Sequence, residues 1–273
     1  MRDGIVAGEE LTAPARHVFL SPHYDDIALS VGGTTALLAE AGRRPEVALI
    51  FGAHPDPSVP LTTFAESMHR GWGLDAGQVI AGRRAEEAVA GAILGTSDIF
   101  LPFRDAIYRG ERYTSDEALF DTPAPDESSL PGEIISALDL SPAERGTTRI
   151  YAPLGIGRHV DHQQVFVAGV TFARSGWEVW FYEDLPYALR REAREERLEN
   201  AGEKLARRAA VDVTSTWEKK IAAIMAYPSQ LATVFDYVDS GSSKEEIEAL
   251  MRAYATEAGG GIPAERFWAV QAG

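Results

Sequence analysis

The order of segments predicts a three-layer α/β/α fold around a mostly parallel, Rossmann-like sheet. Short apolar runs at 17–20, 47–51, 98–101, 150–154 and 178–182 alternate with stretches of helical period. Two polar motifs follow directly on such runs, as ligand loops do at the carboxyl edge of a parallel sheet.

The first strand, His17-Val18-Phe19-Leu20, ends in Ser21-Pro22-His23-Tyr24-Asp25-Asp26. Asp25 and Asp26 then open a helix that Ala41-Gly42 stops, since acidic residues suit a helix N-terminus. Gly32-Gly33 falls well after the strand and lacks G-x-G-x-x-G spacing, so it reads as close packing rather than a dinucleotide loop. The run 47–51 is a second buried strand, followed by the Pro-rich loop 54–60. Residues 79–95 form the clearest helix: Arg83, Arg84, Glu86 and Glu87 alternate with Ala88, Val89, Ala92, Ile93 and Leu94, and Gly95 is the stop. The strand 98–101 leads into Pro102-Phe103-Arg104-Asp105. Residues 108–131 are polar and Pro-rich, with the length of a lid or binding loop. Their Tyr108, Arg109, Arg112, Tyr113 and Phe120 suit contacts with a large substrate. A helix near 133–138 precedes the strand 150–154, and the turn Gly155-Ile156-Gly157 leads to His159-Val160-Asp161-His162. A helix over 163–174 and a strand over 178–182 follow.

Beyond Leu185 the alternation stops. Residues 190–208 read as a solvated helix or arm, Thr214-Ser215-Thr216 as the cap of a helix, 244–254 as an amphipathic helix and 267–270 as a closing strand. With no internal repeat or clear linker, the chain reads as one domain, 1–273: a core over 15–185 and a smaller C-terminal embellishment over 186–273.

The 273 residues suffice for a full core, and 45% hydrophobic with 25% charged residues is ordinary for a soluble protein. A net charge of −15 disfavours nucleic acid and anionic membrane as partners. Without cysteine there is neither a disulfide nor a thiolate metal site, so any metal is held by His and carboxylate. Residues 1–14 lack an apolar core of signal-peptide length, and no run approaches the ~18 apolar residues of a membrane span. The expected setting is cytoplasmic and the expected partner a small molecule.

Two His and one carboxylate with an open position are a catalytic zinc ligand set. His23, Asp26 and His162, at two strand ends, can surround one ion. Asp-Asp after a strand is by itself more often a helix cap, and H-x-x-H pairs recur by chance. Their coincidence at two predicted strand ends points to the metal. One of Asp25 and Asp26 can ligate while the other takes a proton from water. Of His159 and His162, one can reach the metal and the other an oxyanion, with Asp161 orienting an imidazole from behind. His17 reads as structural; for His54, near a strand end, and His69, in a Gly- and Trp-rich loop, substrate contact is the less favoured of two readings.

This pattern resembles the PIG-L (LmbE-like) deacetylase family, which has an A/S-H-x-D-D stretch early in the chain and H-x-D-H later. Arg83-Arg84-Ala85-Glu86-Glu87 with Leu94-Gly95, Arg104-Asp105, Lys219-Lys220-Ile221 with Tyr227-Pro228-Ser229-Gln230, and Ala264-Glu265-Arg266-Phe267 match further family segments. The resemblance implies one Zn²⁺ per chain on His23, Asp26 and His162, and Asp25 as general base. It makes His159 the group that steadies the oxyanion or protonates the leaving amine, with Arg83 and Asp105 on the sugar. It implies removal of an acyl group, expected to be acetyl, from an N-acylglucosaminyl unit. Tyr24, Ile27 and Val160 stand where the family has Pro, Glu and Pro, which leaves the substrate open. The rival readings are an amidase of a thiol-sugar conjugate and a non-catalytic sugar- or nucleotide-binding protein.

Overall fold

The computed structural model describes residues 5–6, 8–74 and 77–271; residues 1–4 and 7 of the N-terminal stretch lie outside the described residues. The elements run α1 (Gly8–Thr12), β1 (Arg16–Ser21), α2 (Asp26–Glu40), β2 (Glu46–Leu49), α3 (Thr63–Gly71), α4 (Val79–Leu94) and β3 (Ser97–Phe100). They continue with α5 (Asp116–Leu119), α6 (Leu130–Ala137), β4 (Thr148–Pro153), α7 (Val160–Arg174), β5 (Glu178–Tyr182) and α8 (Arg191–Glu199). Last come β6 (Leu205–Asp212), α9 (Trp217–Ile224), α10 (Pro228–Asp236), α11 (Lys244–Ala258) and β7 (Ala264–Val270).

The sheet order is β3-β2-β1-β4-β5-β7-β6. Strands β1 to β5 pair in parallel, and β7 and β6 join antiparallel at one edge. From β1 the chain steps outward to β2 and β3, and from β4 it steps the other way to β5. Right-handed crossovers therefore put α2 and α4 on one face and α7 on the other. Both faces being covered, the central strands must be apolar throughout, and Val18, Phe19, Leu20, Ile150, Tyr151 and Ala152 are all buried. The rings of Phe19 and Tyr151 stack across β1 and β4 with centroids 4.0 Å apart. The reversal of direction between β1 and β4 opens a crevice at their carboxyl ends.

Helix α2 breaks at Val31 (φ −136°, ψ 24°). The freed N–H groups of Gly33 and Thr34 donate to the Glu265 carboxylate at 3.0 and 2.8 Å, and Lys220 Nζ balances it at 2.6 Å. A Cβ on Gly33 would lie 2.6 Å from Val213 Cβ, so close packing is the reason for that glycine. Thr216 does not cap α9: its hydroxyl donates to the Gly33 carbonyl at 2.8 Å.

Three segments differ from expectation. Within 190–208, α8 ends at Glu199 and 205–208 open β6. Arg207 and Arg208 sit at an irregularity in the β6–β7 register, where their charge meets solvent. Helix α3, hidden by the glycines around Trp72, is capped by Thr62, whose side chain accepts the Ala65 N–H. Helix α10 starts at Pro228, which cannot continue the preceding helix but suits a first turn. Strands β6 and β7 lie in the same sheet as β1 to β5. No helix among the described residues is long and apolar enough to cross a membrane.

Candidate active site

Strand β1 delivers the first motif at Ser21, whose hydroxyl donates to the His23 carbonyl at 2.6 Å. The turn lets Asp26, the first residue of α2, accept the His23 N–H on Oδ2 at 2.7 Å. Asp25 stands at the N-cap position but makes no side-chain capping bond. Its carboxylate lines a cavity, and Arg83 Nη2 lies 3.4 Å from its Oδ1. The two aspartates thus face different partners.

After β4 the chain turns through Gly155 and Gly157, with φ of 75° and 83°. A Cβ on Gly157 would lie 2.5 Å from Cγ of Tyr187, so only glycine leaves room for that ring. His159 caps α7: its Nδ1 accepts the Asp161 N–H at 3.2 Å, which leaves the proton of the neutral ring on Nε2. One turn on, His162 Nδ1 lies 2.7 Å from Asp184 Oδ1. Its Nε2 is buried without a hydrogen-bond partner among the described residues, 3.4 Å from Asp26 Oδ1. His23 Nδ1 faces Asp26 Oδ2 at 3.6 Å, and its Nε2 meets Asp161 Oδ2 at 3.0 Å and Asp105 Oδ2 at 3.8 Å. Asp161 therefore steadies the imidazole of the first motif.

Ligand atoms of His23, His159 and His162 lie within 4.8 Å of one another, and Asp26 stands beside two of these rings. The donor set fits a divalent metal: nitrogen and carboxylate ligands, an unpartnered buried Nε2, and a carboxylate behind each of two imidazoles. A second grouping, His23, Asp105 and Asp161, fits less well. Asp161 is already engaged by Arg109 Nη1 at 2.6 Å and the Ala106 N–H at 3.0 Å.

Burial works against a charge on His23, yet Asp105, Asp161 and Asp26 hold it protonated well above the usual histidine range. His162 is likewise raised, with Asp26 and Asp184 outweighing burial. Burial would raise Asp26, but His162 and His23 pull it below the usual carboxylate range. Asp25 is raised, first by burial and then by Asp26, against the pull of Arg83. His159 is pushed well down by burial and the neighbouring His23 cation. The site is anionic and asks for cations.

The cavity over these groups measures about 560 Å³. His23, Asp25, Asp26, Arg83, Asp105 and His159 line it, with Trp72, Phe120, Tyr187 and Tyr237 as aromatic walls and exposed Asp116 and Asp236 also on its lining. Arg83 reaches the cavity, but its guanidinium is tied to Asp25 and stacked between Tyr24 and Trp72, 5.0 Å from each ring. Of the five side chains singled out in 108–131, Phe120 alone lines the cavity. Tyr108 bonds His69 at 2.7 Å, Arg112 pairs with Asp126, and Arg109 and Tyr113 both engage Glu127. His54 and His69 do not line the cavity; His17 is buried and bonded to Tyr151 at 3.0 Å. Asp184, Tyr187 and Tyr237 carry no expectation from the sequence, and Arg109, expected on the substrate, instead pairs with Asp161 and Glu127. Asp184 carried a signal, since it follows β5 as Asp25 and Asp26 follow β1.

No family model matches the chain. It is 32% identical over 226 residues to the 2'-N-acetylparomamine deacetylase of Streptomyces fradiae, covering 79% of this chain and 73% of that one. It is 29% identical over 236 residues to the enzyme of the same name from Niallia circulans, with 80% and 82% covered. Among solved structures, the A40926 pseudoaglycone deacetylase superposes with a TM-score of 0.71 at 26% identity, over 94% of this chain and 98% of that one. The chain belongs to the family of the 2'-N-acetylparomamine deacetylases and is an amide-cleaving hydrolase.

Proposed function

We propose that the chain is a zinc-dependent N-deacetylase of the PIG-L (LmbE-like) type. Its substrate is an N-acetylglucosaminyl unit in a glycosylated small molecule of the kind its relatives' names describe. The observation that carries the reading is the convergence of His23, Asp26 and His162, with His162 Nε2 buried, unpartnered and aimed at Asp26. These three would hold one zinc ion. Bound there, the metal supplies a Lewis acid and a water of lowered pKa.

The chain's own groups account for the proton transfers. Asp25, ionised beside Arg83, takes the proton of the attacking water and passes it to the leaving amine. Neutral His159, with its proton on Nε2, donates to the developing oxyanion. Asp105 and Arg83 contact sugar hydroxyls from the cavity wall. Asp116 and Asp236, which form no ion pair among the described residues, suit ammonium groups on the rest of the substrate.

The test is metal analysis of the purified protein together with acetate release from 2'-N-acetylparomamine and from N-acetylglucosamine. Expected are about one zinc per chain and faster turnover of the larger, amine-bearing substrate. Full activity after complete removal of metal would overturn the metal reading, and a preference for the simple sugar would overturn the substrate reading.

A further inference from the structure

Behind His23 lies a run of buried charges that this reaction leaves unused. Asp161 is wholly enclosed. Its Oδ2 takes His23 Nε2 and the Ala106 N–H, each at 3.0 Å, and its Oδ1 takes Arg109 Nη1 at 2.6 Å. The Arg109 guanidinium then forks onto Glu127, with Nε at 2.8 Å and Nη2 at 3.2 Å, while Nη1 also donates to the Arg104 carbonyl at 3.0 Å. The Tyr113 hydroxyl closes the run on Glu127 at 2.7 Å. Arg109, Tyr113 and Glu127 all belong to the polar stretch 108–131, whose sequence suggested a lid or binding loop, and Ala106 lies just before it.

We propose that Arg109 is a positioning residue: by clamping Asp161 it fixes the His23 imidazole for metal binding and ties the β3–α6 segment to that ligand. The proposal rests on the reading of His23 as a ligand. Both oxygens of Asp161 are committed, so the carboxylate cannot turn, and the ring it holds keeps Nδ1 toward Asp26, 3.6 Å away. A planar guanidinium satisfies two carboxylates and a carbonyl at once, which a single ammonium cannot. Without it, Asp161 and Glu127 are two buried carboxylates with no shared counter-charge, and they move apart.

The experiment titrates the metal-stripped full chain with Co²⁺, read by its visible absorption, and then with Zn²⁺ in competition. Carboxylates behind metal-bound histidines typically matter about 10–100-fold in affinity. Arg109→Met and Asp161→Asn should each lose affinity in that range, and Arg109→Lys should lose less. The double variant should bind no worse than the weaker single one, because Arg109 acts only through Asp161. Wild-type affinity in Arg109→Met, or losses that add in the double variant, would overturn the proposal even if the melting temperature falls. Should Arg109→Met fail to fold, unchanged affinity in Arg109→Lys overturns it instead. A wild-type chain that binds neither ion removes the metal reading itself, and this step with it.

Discussion

Replacing Asp25 by Asn separates the proposed base from the proposed ligand set. Asp25 is buried, makes no helix-capping bond and has Arg83 as its charged partner at 3.4 Å. Asn keeps its shape and removes its repulsion with Asp26, so the fold and the arrangement of His23, Asp26 and His162 should persist. What disappears is a group able to accept a proton. General-base catalysis contributes about 10²–10⁴-fold, and at 1.36 kcal/mol per decade kcat/KM should fall by the equivalent of ~3–5 kcal/mol. The pH profile gives an independent check. The Asp25 pKa is raised, chiefly by burial, and catalysis needs the ionised form. Wild-type kcat/KM should therefore fall as pH drops through a value above the ordinary 3.8 of a carboxylate, and the variant should lack that limb. The assay is acetate release across pH with metal content measured alongside. An active Asp25→Asn enzyme, or one that has lost its metal, would refute this division of labour between the two aspartates.

Two further expectations concern groups outside the cavity. Asp184→Asn puts an amide where two N–H groups now find carboxylate oxygens, His162 Nδ1 at 2.7 Å and the Ile156 N–H at 3.0 Å. One N–H loses its acceptor, so stability should drop by ~1–3 kcal/mol and metal affinity by about 10-fold or more, read by urea melts and chelator competition. His17 is lowered from 6.5 to about 4 by burial and by Arg149 and Arg43. The unfolded chain takes up this proton more readily, so the contribution is complete above pH 6.5 and is lost as pH falls through 4, up to ~3 kcal/mol. His17→Gln should flatten that part of the urea midpoint against pH, and an unchanged slope would exclude His17 as its source.

The fold was legible wherever one local pattern decides an element. The runs that became β1 and β4 are apolar throughout because both faces are covered. The 79–95 helix ends on Gly95 because that residue has φ 75°. The two motifs could be paired from sequence because strand ends flanking a switch point must converge. What stayed hidden depends on partners far apart in the chain. The composition of 108–131 reads as a lid or binding loop, yet Arg109 and Glu127 bury each other beneath the site. Leu205–Arg208 look like an arm until β7 arrives to pair with them. Arg83 reads as a sugar contact, and only the packing of α4 against the first motif brings it to Asp25.

Charge around the site links these observations to one more consequence. Asp25, Asp26, Asp105, Asp161, Asp184 and Glu127 are six carboxylates, and Arg83 and Arg109 are the buried and half-buried guanidinium groups paired with them; exposed Arg112, 3.9 Å from Glu127, is balanced by its own partner Asp126. With neutral imidazoles this leaves four negative charges uncompensated. Protons on His23 and His162 reduce the surplus by two, which is why both rings are raised above 6.5. A divalent ion brings the same two charges to the same place, but its ligands must be deprotonated. Metal uptake should therefore release up to two protons per ion, and affinity should climb by as much as ~100-fold per pH unit until the rings have titrated. The climb continues past pH 6.5, because both shifts are upward. Calorimetry in buffers of differing ionisation heat counts the protons, and chelator competition across pH measures the slope. A metal affinity that stays level with pH just above 6.5 would mean that the ion enters without displacing them, and the ligand set would have to exclude at least one of the two rings.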